Sequence, residues 1–192
     1  GLLAFPTEKI AVGLAFQGTL SNFAGGMLIH FSKPFRVGDY IESNGYSGTV
    51  QAIQLLYTEL ATIDNKVVRL PNGTLSNTNI INYTDKPTRR VDLVLSANYE
   101  ADSAKVIKAL FEIIDSHELI MKEPEPFVRL SEYSDSSINY TVRVWVKTED
   151  YWTVYYDILG SVKEKFDEYG ISIPYPQVDV HMDKEKVNSK KI

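Results

Sequence analysis

Between Lys9 and Lys33 the chain runs for 23 residues without a formal charge. Coiled into an α-helix, that run is roughly 35 Å long at about 1.5 Å per residue, the thickness of a bilayer's hydrocarbon core. A segment of this kind needs lipid or protein to cover it, so it constrains the fold more than any other feature. Its composition narrows the choice. Ala11, Gly13, Ala15, Gly18, Ala24, Gly25 and Gly26 are too many small residues for a plain lipid-facing span. Glycine weakens a helix in water, whereas small residues let helix backbones approach closely in a membrane.

The run has two halves. Ala11 and Ala15 lie on one helical face, and Ile10 and Leu14, also four apart, lie on a neighbouring one. Several copies packed through the small face would present rings of Ile10 and Leu14 to a shared axis, and apolar rings close a pore by dewetting. After Gln17-Gly18 the pattern changes. Leu20, Phe23, Ala24, Met27, Leu28 and Phe31 follow 3/4 spacing, while Ser21, Asn22, Gly25 and Gly26 make a small, polar face. Gly18 then reads as a hinge, with residues 10–17 crossing a membrane and 19–31 lying along its surface. The competing reading is a glycine-rich helix buried in a soluble core.

Charge is distributed unevenly. Residues 1–32 carry net 0, residues 33–90 net +2 and residues 91–192 net -7, within an overall -5. An acidic chain is poorly suited to non-specific nucleic-acid binding, which relies on Lys and Arg displacing counterions, and no nucleic-acid partner is expected. With no cysteine, a disulfide scaffold is excluded. The chain begins at Gly1 with no basic region before the apolar run, so a secretory signal is not expected and a fragment of a longer protein is.

From Lys33 onward, short Val/Ile/Tyr/Thr-rich runs near 39–43, 48–54, 56–63, 66–70 and 78–82 are separated by the turn signals Asn44-Gly45, Asp64-Asn65 and Pro71-Asn72-Gly73. Five short strands predict a small β-barrel or sandwich. Beyond Pro87 strands alternate with helices: Arg90–Ala97, a helix capped by Asp102, strands 126–132 and 137–147, and a helix capped by Asp150 and ended by Gly170. With extended segments at 171–173 and 178–182, this is the β-α-β-β-α-β order of a ferredoxin-like unit. The expected fold class is α+β. The expected divisions are 1–32 (helix), 33–86 (β domain), 87–176 (α/β domain) and 177–192 (strand and tail).

The runs AVGLAFQGTLSNFAGG (11–26), KPFRVGDYIE (33–42), GTVQAI (48–53), LPNGTLSNTNIINYT (70–84), INYTVRVWVK (138–147) and GISIPYPQVDV (170–180) are together similar to the bacterial small-conductance mechanosensitive channel family. The similarity runs from about Ile10 to Met182 in the family's order and spacing. It implies a homoheptamer built from a bent pore helix, a middle β domain, a ferredoxin-like domain and a C-terminal strand, Val178–Met182, given to a barrel shared by every subunit. It implies further that Ile10 and Leu14 form the pore-closing ring, that Ala11, Gly13 and Ala15 are the surface along which pore helices slide, and that Gly18 and Gly26 are flexible points. Pro71, Asn72 and Gly73 would be a turn near the membrane-surface helix, and Asp92 would line a lateral opening. The expected partners are other copies, membrane lipids, permeating ions and small osmolytes. The expected location is the bacterial inner membrane, with residues from about 33 onward cytoplasmic. Two features depart from the family's pattern, Phe5-Pro6-Thr7-Glu8-Lys9 where further small apolar residues complete the crossing and no counterpart of the amino-terminal sensor helices in this sequence, so the expectation is either a truncated channel or a relative whose pore segment has been shortened.

No enzyme is expected and no cofactor. His30, His117 and His181 lack metal-ligand spacing, and Gly13-x4-Gly18-Thr19 lacks the lysine of a phosphate loop. A soluble, ring-forming RNA-binding or scaffold protein is the rival, because a small barrel followed by a ferredoxin-like unit also builds such proteins. The absence of an aromatic RNA-recognition run weighs against it.

Overall fold

The structure is a computed structural model that describes residues 7–178. It divides into two compact units between Pro87 and Thr88. Each has its own core, and the mixed helix-and-sheet content makes the chain α+β.

The first unit holds helix α1 (Thr7–Ser32), strands β1 (Tyr40–Ser43), β2 (Tyr46–Ile53), β3 (Tyr57–Ala61) and β4 (Val67–Pro71), the one-turn helix α2 (Asn72–Ser76) and strand β5 (Ile81–Asn82). The strands form one antiparallel sheet in the order β4-β3-β2-β1-β5. Asn44 and Gly45, both with positive φ, turn β1 into β2, as two-residue hairpins require. The sheet's core is Ile41, Val50, Leu60 and Leu70, closed by Phe35, Leu75 and Ile29. Among the described residues of α1, Ile29 alone enters that core.

In the second unit β6 (Thr88–Ala97), β7 (Phe127–Tyr133) and β8 (Ile138–Lys147) form an antiparallel sheet ordered β6-β8-β7. Helices α3 (Ser103–Ser116) and α4 (Tyr151–Glu168) cover one face of it. Alternate residues of β6 and β8 face these helices: Val91, Leu93 and Leu95 from one strand, Tyr140, Val142 and Val144 from the other. The helices answer with Val106, Leu110 and Ile113, and with Val154, Ile158 and Phe166, at the 3/4 spacing of an amphipathic face. Asp102 caps α3 by accepting from the Ala104 N–H at 2.9 Å. Asp150 makes no such bond: a 3-10 turn, Thr148–Asp150, leads into α4 and supplies its entry instead. Gly170, at φ +66, ends α4.

The sixth element of the ferredoxin-like order is not a strand. Residues 171–173 are extended, but the backbone bond from the Asn98 N–H to the Ser172 carbonyl, 3.1 Å, is the one contact of a β kind they make with the end of β6. Pro174 and Pro176 follow at once, and residues without an N–H cannot extend a ladder. The expected strand at 178–182 lies, apart from Val178, outside the described residues.

Candidate functional site

Helix α1 meets the β unit through its small face. Gly25 and Gly26 are buried, and each sits where a side chain has no room: a Cβ on Gly25 would lie 2.4 Å from the Asn72 carbonyl oxygen, and one on Gly26 would lie 2.5 Å from that of Leu55. One turn earlier the Oδ1 of Asn22 accepts the Gly73 N–H at 2.9 Å. One turn later Ile29 enters the core. The four residues recur every three to four positions and form one stripe.

Opposite the stripe the helix is apolar and uncovered. Leu20, Phe23, Met27, Leu28 and Phe31 are exposed, Phe31 to 75%. In an ordinary amphipathic helix of a soluble unit the apolar side is buried. Here the order is inverted. Burying glycine lets the α1 and α2 backbones touch and leaves large side chains available for something outside the unit.

The partner surface is organised by Asn72. Its Oδ1 accepts from the Thr58 hydroxyl at 2.8 Å, and its Nδ2 donates to the carbonyls of Gln54 (2.8 Å) and Leu55 (3.3 Å). Both Asn72 and Thr58 are fully buried, and the amide leaves neither dipole end unpaired. The reading of Pro71-Asn72-Gly73 as a turn is corrected at this point. Pro71 ends β4, and Asn72 and Gly73 open α2. Gly73 is required by proximity, since a Cβ there would lie 2.6 Å from the Ser21 Oγ, and not by a positive φ. Asn-Gly is a strong turn signal in isolation, and tertiary packing overrode it.

The other half of α1 makes no comparable contact. Ala11 and Ala15 are exposed, and a Cβ added to Gly13 or Gly18 meets nothing within 4 Å. Ile10 and Leu14 are 55% and 66% exposed. The helix runs unbroken through Gly18. Among the described residues no helix is long and apolar enough to cross a membrane. Gly13, Gln17, Gly18 and Thr19 dilute the apolarity of this part of the helix. Gly26, expected as a flexible point, is held between Leu55 and Asn72.

Asp92 stands on the sheet face of the second unit that the helices leave open. Arg90 grips it with a fork, Nε to Oδ1 at 2.6 Å and Nη2 to Oδ2 at 2.8 Å, and this bond raises the guanidinium's pKa further above its ordinary value. His117 Nε2 lies 3.0 Å from the Asp157 Oδ2 and ties α3 to α4. Among the described residues no group of three His, Cys, Asp or Glu side chains could hold a metal ion.

Two family models match. Residues 18–85 fit the model described as "Mechanosensitive ion channel, beta-domain", and residues 91–173 that described as "Mechanosensitive ion channel MscS, C-terminal". The small-conductance mechanosensitive channel of Edwardsiella ictaluri is 42% identical over 173 residues, covering 90% of this chain and 60% of its own length. An uncharacterised MscS family protein of Synechocystis is 45% identical over 175 residues, 91% of this chain and 59% of its own. This chain thus spans about three fifths of these relatives. The crystal structure of Helicobacter pylori MscS in its closed state superposes with a TM-score of 0.88 at 34% identity, covering 93% of this chain and 71% of that one. The cryo-EM structure of Arabidopsis thaliana MSL1, at 21% identity and TM-score 0.74 over 89% of this chain and 64% of that one, shares the fold.

Proposed function

Since the chain belongs to the MscS family of mechanosensitive ion channels, we propose that it is the pore-lining helix and cytoplasmic part of a tension-gated channel subunit. The observation that carries this reading is the inverted helix α1. It is clamped to the β unit through Gly25 and Gly26 and presents Leu20, Phe23, Met27, Leu28 and Phe31 outward. An apolar face held rigidly away from its own domain suits a helix lying at a bilayer surface.

Among the described residues nothing covers the first half of α1, and other copies would supply its covering. With Ala11, Gly13 and Ala15 against neighbours, Ile10 and Leu14 ring the axis of a homoheptamer and keep it dry when closed. Bilayer tension favours the state of larger membrane area, so a ring that tilts and widens opens under tension. Opening releases ions and small osmolytes after hypo-osmotic shock. In this arrangement the chain works in the bacterial inner membrane, with residues from about 33 onward cytoplasmic, and the open sheet face bearing Asp92 borders the route by which solutes reach the pore. The clamp at Gly25 and Gly26 makes the β unit move with the helix and leaves Gly18 as the place where its two halves change angle.

The test is patch-clamp recording of a full-length parent carrying Leu14→Ser or Leu14→Val. Serine places one hydroxyl per copy at the narrowest ring, so opening at lower tension and leak at rest are expected, whereas valine keeps the ring apolar and has a milder effect. A raised threshold with normal assembly in Leu14→Ser removes Leu14 from the gate.

A further inference from the structure

The open face of the second unit's sheet carries a cationic corner that neither the fold nor the proposed gate accounts for. The registers fix its layout. Asp92 on β6 is opposite Arg143 on β8, and Arg143 is opposite Phe127 on β7; in the next row Val94, Thr141 and Arg129 stand side by side. Side chains two apart on a strand share a face, so Arg129, Thr141, Arg143 and Phe127 enclose one small area.

Phe127 sets the spacing of the two cations. The Arg143 guanidinium carbon lies 5.4 Å from the centre of its ring and the Arg129 carbon 5.6 Å. Two positive groups thus lie within cation–π distance of one ring, an arrangement that gathers like charges around it. The nearest carboxylate is already engaged. Arg90 occupies both oxygens of Asp92, and Arg143 Nε reaches the Asp92 Oδ2 only at 4.0 Å, beyond hydrogen-bond range. Among the described residues Arg143 makes no hydrogen bond, Arg129 gives one, to the Val128 carbonyl, and the Thr141 hydroxyl has no partner. Two guanidinium groups with unused donors, flanking a hydroxyl on a half-exposed surface, are therefore ready for an acceptor of high charge.

We propose that Arg129, Thr141 and Arg143 form a binding site for a tetrahedral oxyanion, the phosphate group of a small solute. A planar carboxylate is satisfied by a single guanidinium fork. Two forks from adjacent strands, Arg129 on β7 and Arg143 on β8, with the Thr141 hydroxyl of β8 beside them, instead match the divergent oxygens of a phosphate, and charge neutralisation favours a dianion. Phe127 positions both forks and touches no anion. The site lies wholly within one unit of one chain and does not depend on whether the chain conducts.

The chain contains its own reporter. Trp145 stands opposite Arg90 on the same face, one row from Arg143, and Trp152→Phe leaves it the sole tryptophan. The full chain is titrated with inorganic phosphate, with glycerol phosphate and with acetate, at an ionic strength held constant with sodium chloride, and fluorescence and heat are recorded together. Saturable binding of phosphate at one site per chain is expected, with Arg143→Gln and Arg129→Gln each weakening it about tenfold, as loss of a charge-assisted bond implies. Arg143→Lys, which keeps the charge and loses the fork, is expected to fall between. Arg69→Gln, in the other unit and paired with Glu59, leaves binding unchanged. Binding of either phosphate form carries the proposal, and the tighter one names the source as free phosphate or a phosphorylated solute. Absence of saturable binding, equal affinity for acetate, or undiminished binding in folded Arg129→Gln and Arg143→Gln variants overturns it.

Discussion

The backbone N–H of Gly73 donates to the side-chain Oδ1 of Asn22 across 2.9 Å, joining residues 51 apart in sequence. This bond fixes the height of α1 on the β unit, because Gly73 opens α2 and α2 is anchored through Asn72 to the β2–β3 turn. Around it the two backbones are so close that neither helix tolerates a larger residue at the crossing. Gly73→Ala is expected to destabilise the first unit by about 1–3 kcal/mol, the usual cost of overpacking. Ser21→Gly, which removes the hydroxyl that the new methyl meets at 2.6 Å, should recover part of the loss. Chemical denaturation of the four members of the cycle measures the coupling; additive effects would detach Gly73 from the helix.

Gly25 and Gly13 are expected to behave oppositely. Gly25→Val drives a side chain into the Asn72 backbone and should release α1 from the sheet, seen as faster proteolysis within residues 9–32 and a lower denaturation midpoint. At Gly13 a Cβ meets nothing, so Gly13→Ala should leave the stability of the chain unchanged or raise it by up to about 1 kcal/mol through helix propensity. Any loss of assembly or gating in Gly13→Ala is then a contact between copies, which native mass spectrometry of wild type and variant resolves.

Asn72→Ala removes the buried amide that pairs Thr58 with the carbonyls of Gln54 and Leu55. Leaving these groups unsatisfied should cost about 1–3 kcal/mol. Asn72→Asp is expected to be at least as damaging at neutral pH, because it replaces a donor by a charge beside two carbonyl oxygens. Equal stability of all three proteins would mean that water restores the lost bonds.

Tyr169 and Glu112 give the second unit a pH dependence. The Tyr169 hydroxyl donates to the Glu112 Oε1 at 2.5 Å, and this bond, ahead of the nearby Lys165 and Lys108 charges, holds the carboxyl below its ordinary value. A lowered carboxylate pKa stabilises the fold above the unfolded value, near 4.5, and that contribution disappears as pH falls through the folded value. The melting-temperature difference between wild type and Tyr169→Phe should therefore be constant near neutrality and shrink on acidification below about pH 4.5. A difference that grows on acidification would contradict the assignment.

Most of the fold was legible because its signals are local. Asn44-Gly45 forces a tight hairpin, the 3/4 spacing of Val106, Leu110 and Ile113 forces a buried helix face, and alternation in β6 and β8 forces a half-covered sheet. Pro71-Asn72-Gly73 reads as a turn because Asn-Gly is judged by its own backbone preferences, while the helix that Asn72 opens is set by Ser21 and Gly25 half a hundred residues away. The two faces of α1 were legible as faces, and which one docks was not. Hydrophobicity names a side that avoids water but is silent about backbone proximity, and here proximity decided. The cationic corner escaped because Arg129 and Arg143 are unremarkable in sequence and meet only through strand register. The RNA-binding rival is not favoured, since the family is that of a mechanosensitive channel.

Among the described residues α1 enters a core at Ile29 alone, and this makes the chain divisible. The contacts that hold α1 to the β unit run from Ser21 to Ile29, while residues 9–20 contribute no buried side chain. Natural variation and engineering can therefore rewrite the first three turns of the helix, shortening, recharging or exchanging them, without unfolding what they are mounted on. The folded body is a socket, and the segment ahead of Ser21 is an interchangeable tool fitted into it.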